Sequence, residues 1–359
     1  MVGLSLKALA SSWLLESTNP AVRFFTLTDV MGRPHEDKQA SREREKILEY
    51  APVKALHQAQ RGKGHWPPSN TCYEPKFTST VWQLILLGEI GVPRTPWIES
   101  ALEQFLNQHQ MQNGAFCCPA IGGEEQLEEE PCLMGNMLRT LLFFGYGEDS
   151  RVKKALEWMP EMQFEDGGWN CDHPGFQFDG GKLNWGSARY DPTHSSVMST
   201  IEPLWAYSEI PRPRWTKKMK RSIEEGAEFL LAHRIYKSHR DWSSIELRDM
   251  DKIFTGNLVT KFHFPMYYYY DALHGLRVLT KLGYHDDERI RDAVLLMLSK
   301  MTPEGRWLLD GDWVRERTDN SRKTIVSVEE LNEPSKWVTL NCYRVLSRTG
   351  DLEFPDHNN

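Results

Sequence analysis

The sequence has no apolar run approaching the roughly 20 residues that a membrane-spanning helix needs. Its first ten residues, Met1 to Ala10, are interrupted by Lys7, where a signal peptide would need an unbroken apolar stretch, so a cytoplasmic location is expected. Positive charge is not in excess: 43 Lys and Arg stand against 50 Asp and Glu, a net charge of -7, which argues against a polyanion such as DNA as the main partner. Six cysteines in 359 residues do not make a disulfide scaffold, and no Cys-x-x-Cys pair is present. Cys72 and Cys342 are expected to be packing residues. Alternation of apolar and polar residues over strand-length segments is also missing, which points to a nearly all-helical fold.

What is present is a repeat. Pro75, Pro131 and Pro334 each open an apolar helical run, and the runs close after equal distances at Gly91, Gly147 and Gly350. Further copies start at Pro192 and near Pro265, the latter ending at Gly283. Pro75, Pro131 and Pro192 recur at intervals of about 60 residues, the signature of a repeat architecture. Proline suits the first turn of a helix because its missing N–H would be unpaired there, and glycine accepts the left-handed cap beyond the end.

Amphipathic helices are expected between these runs, at Trp97 to Gln110, Val152 to Met162, Lys218 to His233 and Glu288 to Lys300. Each repeat carries a Gly-x-aromatic turn: Gly64-His-Trp66, Gly114-Ala-Phe116, Gly167-Gly-Trp169 and Gly305-Arg-Trp307. The unit is therefore an outer helix, the turn, a variable loop and an inner apolar helix. About six such pairs closed into a ring would leave no apolar end exposed, whereas an open solenoid needs polar caps. The expectation is an all-α, α/α toroid in one domain over 1–359, with N-terminal helices to 60, repeats over 61–350 and a tail at 351–359.

The Gln-x-x-Asp-Gly-Gly-Trp form at Gln163 to Trp169 resembles the repeat motif of the squalene/terpenoid cyclase and protein prenyltransferase superfamily. Weaker echoes occur at Gln112 to Phe116 and Pro303 to Trp307. The resemblance implies the same toroid. In site layout it is nearest to prenyltransferase β subunits, where an acidic residue and a cysteine at one inner helix and a histidine at the next hold zinc. Carried over, the zinc ligands are Glu130, Cys132 and His194, with Glu130 where that family has aspartate. Cys171 and Asp172, after the Gly-Gly-Trp turn, stand where they can complete the set. Thiolate and imidazole suit zinc, and a helix N-terminus stabilises a thiolate. The packing reading has comparable weight, since cysteine is commonly buried as a small hydrophobe. The Asp-x-Asp-Asp signature of alkene-protonating cyclases is missing, and Asp286-Asp287-Glu288 does not continue into a metal-diphosphate motif.

Other candidates follow from residue type and place. Tyr267 to Tyr270 begin an inner helix with Asp271; Tyr267 and Tyr270, with Trp185, are candidate aromatic substrate contacts, and Tyr269 and Asp271 candidate catalytic groups. His233, Arg234 and Arg240 end an outer helix, either as a solvated C-terminus or as a diphosphate or carboxylate clamp. Asp172 and Asp191 are candidate acids near the central stretch, and Asp191, Glu202, Asp271 and Glu333 offer carboxylate pairs of the glycosidase kind. Asp166 is expected to cap the next helix, and Trp66, Trp169 and Trp307 to wedge between repeats.

Three functions compete. The first is an enzyme of the cyclase or prenyltransferase class acting on an apolar, isoprenoid substrate, with zinc at the rim. The second is a carbohydrate-active toroid, and the third a ring that binds a ligand without converting it.

Overall fold

One set of hydrogen bonds recurs at the Gly-x-Trp turns. The indole N–H groups of Trp66, Trp169 and Trp307 donate to the carbonyls of Leu56, Met159 and Met297, at 2.9, 2.9 and 2.6 Å. Their backbone N–H groups donate to the hydroxyls of Thr80, Thr200 and Thr339 in the inner helix that follows, at 3.1, 3.0 and 2.9 Å. Each tryptophan thus pins the end of an outer helix to the start of an inner one. All three are fully buried. At Phe116, which has no N–H on its ring, the backbone N–H turns instead to the Met134 sulfur.

The glycines of these turns serve the contact between repeats. Gly64, Gly114 and Gly167 have φ of +108°, +101° and +94°, and a Cβ there would lie 2.6 Å from Ala101 N, 2.8 Å from Lys154 O and 2.5 Å from Glu225 O. Those backbones belong to the next outer helix. Gln110 and Gln163 reach across the same seams, donating to the carbonyls of Arg151 and Ser222 at 2.8 and 2.9 Å.

The computed structural model describes residues 12–62, 64–67, 71–118, 131–170, 195–237, 258–311 and 324–350. Among the described residues twelve α-helices build the ring: α1 Pro20–Phe25, α2 Lys38–Lys46, α3 Ala51–Ala59, α4 Thr80–Ile90, α5 Pro96–Gln108, α6 Pro131–Phe143, α7 Ser150–Trp158, α8 Val197–Ser208, α9 Lys217–Ala232, α10 Ala272–Leu282, α11 Arg291–Ser299 and α12 Lys336–Thr349. The inner ring is α1, α4, α6, α8, α10 and α12. Around it lie α2, α3, α5, α7, α9 and α11. All eleven residues of α4 are buried, whereas α9 buries only one face. Among the described residues the only paired strands are Trp307–Leu308 and Pro334–Ser335, and no helix is long and apolar enough to cross a membrane. The architecture is the expected α/α toroid.

Closure is made by α1. Its Phe25 ring lies so near Gly91, beyond α4, that a Cβ there would be 2.5 Å away, and it meets Trp337 of α12 edge-on at 6.2 Å. Asp29, in the π-helical turn after α1, pairs with Arg344 of α12 at 2.7 Å. Lys336 donates to the Trp13 carbonyl and the Glu16 carboxylate at 2.6 and 2.9 Å.

Three expectations are corrected. Of the repeat prolines among the described residues, only Pro131 opens an inner helix; α4 begins at Thr80, α10 at Ala272 and α12 at Lys336, and the cis peptides Glu74–Pro75 and Phe264–Pro265 lie in the preceding loops. The cap of α6 is Gly145, with φ of +85°, rather than Gly147. Cys72 is not a lone packing residue, because it forms a disulfide with Cys118. This ties the loop before α4 to the strand-like segment after the Gly114 turn. Cys342 is a buried thiol as expected, and burial pushes its pKa well up.

Candidate functional site

The inside of the ring is polar at its middle. In α6, α10 and α12 the same spacing recurs: Asn136 and Arg139, His274 and Arg277, Asn341 and Arg344 each lie one turn apart on one face. The three arginines also stand at one distance ahead of the positive-φ glycines Gly145, Gly283 and Gly350. Equivalent positions on three inner helices bring them to one level of the ring. The level also holds Glu89 of α4 and Glu202 and Trp205 of α8. Gly135 makes room for it, since a Cβ there would sit 2.3 Å from the Glu202 carbonyl carbon.

Burial dominates the electrostatics of this layer. Glu202 and His274 are fully buried and lie 3.8 Å apart, Oε1 to Nε2. Burial, and then the charges of Arg277 and Arg139, hold His274 well below the usual histidine range, so its imidazole is neutral. Burial also draws Arg277 down to about 10, against the pull of Glu89, 3.5 Å away. The Arg139 guanidinium lies 3.7 Å from the centre of the Trp205 ring and that of Arg277 5.1 Å from it. His274 meets the same indole edge-on at 4.5 Å. Toward the C-terminal ends of the inner helices, Lys281 pairs with Glu209 at 2.8 Å and Arg344 with Asp29.

Above this layer, residues 262–271 cross the mouth of the ring. Asp271 caps α10 by accepting from the His274 N–H at 2.7 Å, and it also accepts from the backbone and ring N–H of His263 at 2.8 and 3.0 Å. Met266 then donates to Glu89, on the far side of the ring, at 3.1 Å. That places Tyr267 and Tyr268 against α4, with Trp82 at 5.3 and 4.8 Å. Phe77 and Tyr73 complete the group, at 5.6 Å from Tyr267 and 5.3 Å from Tyr268, and Tyr269 stacks on Phe77 at 6.2 Å. Phe77 and Tyr267 both have left-handed backbones, φ of +66° and +51°. Such conformations cost about 1–3 kcal/mol each and persist where the surroundings impose them, commonly at ligand sites.

The sequence-derived candidates distribute unevenly. Glu130, Cys171, Asp172, Trp185, Asp191, His194 and Arg240 lie outside the described residues. Cys132 is half-buried in the first turn of α6. Among the described residues no three His, Cys, Asp or Glu side chains gather as a metal would require. Tyr267 and Tyr269 join the aromatic group at the mouth. Tyr270 instead donates to the Ile235 carbonyl at 2.7 Å and packs over Gly275. Asp271 carries three donated hydrogen bonds and acts as an anchor for the crossing segment. His233 and Arg234 are on the outer layer, where Arg234 pairs with Asp292 of α11 at 3.1 Å. Asp166 holds its own turn and the approach to α8 rather than capping that helix: it accepts from the Gly168 and Ser195 N–H groups at 3.3 and 2.9 Å, and Ser195 precedes the N-cap, Ser196.

Glu89, Arg139, His274 and Arg277 were not expected as site residues. The signal available was the polar-x-x-Arg pair at equal distances from the closing glycines, which apolar periodicity does not register.

No protein-family model matches the chain, and no curated protein matches it in sequence. Solved structures do resemble it. A polysaccharide lyase is similar with a TM-score of 0.52 at 10% identity, covering 98% of this chain and 98% of that one. A family 88 glycosyl hydrolase from Bacteroides vulgatus has a TM-score of 0.50 at 10% identity, covering 96% and 97%. The type II terpene cyclase MstE from Scytonema, in complex with geranylgeranyl dihydroxybenzoate, has a TM-score of 0.43 at 12% identity, covering 93% and 88%. At 10% identity the likeness to the lyase and the hydrolase supports the fold alone and leaves the chemistry to the site.

Proposed function

We propose that this toroid is an enzyme of the terpenoid cyclase and prenyltransferase type that takes an apolar, isoprenoid-class substrate at the N-terminal end of the ring. The observation that carries the reading is the aromatic group at the mouth. Rings from α4 and its preceding loop meet rings from the crossing segment, and Phe77, Trp82, Tyr267, Tyr268 and Tyr269 are all buried. Such a group offers apolar area and electron-rich faces to a hydrocarbon or a developing cation. Asp271 is a positioning residue in this reading because its oxygens already accept from His263 and His274. The acid roles go to Asp172 and Asp191, and substrate contacts beyond the tyrosines to Trp185 and Arg240. Zinc held by Cys132, Cys171 and His194, with Glu130, belongs to the same proposal; it would activate a thiol or water or polarise a carbonyl.

A carbohydrate-active toroid is the second reading, favoured by the interior carboxylates Glu89 and Glu202. Both are buried, which suits an open saccharide groove poorly. The test combines native mass spectrometry and metal analysis of untagged protein with product analysis after incubation with linear polyprenyl alcohols and diphosphates. Retained lipid, and products that disappear in Tyr267→Ala and Tyr269→Ala, are expected. Cleavage of an oligosaccharide panel by protein that neither retains nor converts isoprenoids would overturn the proposal.

A further inference from the structure

We propose that Arg139 is the anchor of a subsite for a monovalent carboxylate in the middle of the ring, beneath the aromatic mouth. The three equivalent arginines are not equally partnered. Arg344 has Asp29 as its partner at 2.7 Å, and Arg277 faces Glu89 at 3.5 Å. For Arg139 the corresponding carboxylate is Glu209, 3.9 Å away and already held by Lys281 at 2.8 Å. Its Nε and Nη1 have no hydrogen-bond acceptor among the described residues, although the side chain is only 5% exposed. A buried cation without a hydrogen-bonded anion is costly, so a chain that keeps one there is suited to an acceptor from outside itself.

The surroundings define that acceptor. Stacking on Trp205 engages the face of the guanidinium and leaves its N–H edge for a planar carboxylate. Neither ring nitrogen of His274, beside the same indole, has a hydrogen-bond partner among the described residues, and a neutral imidazole supplies one N–H. Glu89 and Glu202 in the layer, and Glu209 3.9 Å from Arg139, oppose a second negative charge. This favours a carboxylate over a phosphate. The site itself does not require turnover; only the identification of the carboxylate with the polar end of an isoprenoid rests on the function proposed above.

The test is calorimetric binding of geranate and geraniol, the acid and the alcohol on the same isoprenoid tail, with benzoate as a carboxylate lacking that tail. Wild-type protein is expected to bind geranate at least about tenfold more tightly than geraniol, the scale of a charged hydrogen bond. Arg139→Gln with unchanged circular dichroism should lose the preference, and Arg139→Lys should keep part of it. Equal wild-type affinity for acid and alcohol would remove the subsite while leaving the isoprenoid reading in place, and that comparison needs no variant. Arg139-dependent binding of benzoate without geraniol or geranate would keep the subsite and remove the isoprenoid reading. Binding of none of the three would overturn both.

Discussion

Arg139 and Trp205 stack with the guanidinium carbon 3.7 Å from the indole centre, joining α6 to α8 at the level where the ring interior is most highly charged. The contact couples two properties usually kept apart. Cation–π stacking partly offsets the loss of water around Arg139, by roughly 2 kcal/mol in a desolvated setting, without using its N–H groups. The layer can therefore be stable and still offer donors.

The tryptophan locks give the most direct stability prediction. Trp169→Phe keeps most of the buried volume but leaves the Met159 carbonyl without its indole donor, and should cost about 1–3 kcal/mol. Trp169→Ala also opens a cavity and should cost roughly 3–5 kcal/mol. Urea unfolding followed by circular dichroism would show whether the order holds; equal stability of the Phe variant and the wild type would deny the lock.

Two glycines with similar backbones should respond differently to alanine. At Gly167, φ is +94° and a Cβ would be 2.5 Å from the Glu225 carbonyl oxygen, so the variant must move α9. At Gly145, φ is +85° and the nearest atom is Arg94 Nη1 at 3.8 Å, so only the backbone cost of about 1–2 kcal/mol remains. Gly167→Ala is expected to lower the melting temperature clearly more than Gly145→Ala.

The Cys72–Cys118 bond predicts a thiol count. Protein unfolded without reductant should titrate two fewer thiols than the same protein after reduction, and Cys118→Ser should remove that difference. Stability should fall by about 2–4 kcal/mol in the serine variant under oxidising conditions, since the cross-link restricts the unfolded chain. Under reducing conditions the variant and the wild type should converge. A full complement of free thiols before reduction would contradict the pairing.

Glu329 makes stability depend on pH. Burial pushes its carboxyl up to about 7, against the hydrogen bonds it accepts from the Ser335 hydroxyl and the backbone N–H groups of Trp337 and Lys336. The folded state therefore binds this proton more tightly than the unfolded chain. The stabilisation is fully present below the ordinary carboxyl value near 4.5 and is lost as pH rises through about 7. Glu329→Gln should show a smaller fall in melting temperature between about pH 5 and 8 than the wild type, and parallel profiles would contradict the assignment.

Much of the ring was legible in the sequence because helix ends and repeat contacts use local rules. Asn19 caps α1 where residue type and position say it should, accepting from Val22 at 3.1 Å. The tryptophans wedge because the turn before each one repeats. The interior was less legible. Arg139 and Arg277 sit in helices whose apolar pattern marks a core, and pattern alone cannot separate a buried charge from an exposed one. The disulfide depends on which of two adjacent cysteines turns toward Cys72, a matter of backbone direction beyond Phe116. Pro75 and Pro265 announced helices that start several residues later, at Thr80 and Ala272, because each proline lies in the approach loop. Five of the candidate acids and metal ligands, Glu130, Cys171, Asp172, Asp191 and His194, lie outside the described residues.

The seam at α1 has a consequence for how the molecule is made. Asp29 and Arg344 are 315 residues apart, so the pair that closes the ring joins segments that leave the ribosome far apart in time. At synthesis rates of about 5–20 residues per second, Phe25 and its neighbours wait roughly 15 to 60 seconds for α12. Through that interval α1 has no ring to belong to, and its apolar face must be sheltered by α2 or by a chaperone. The emergence of α12, more than any single repeat, decides when the ring can first close.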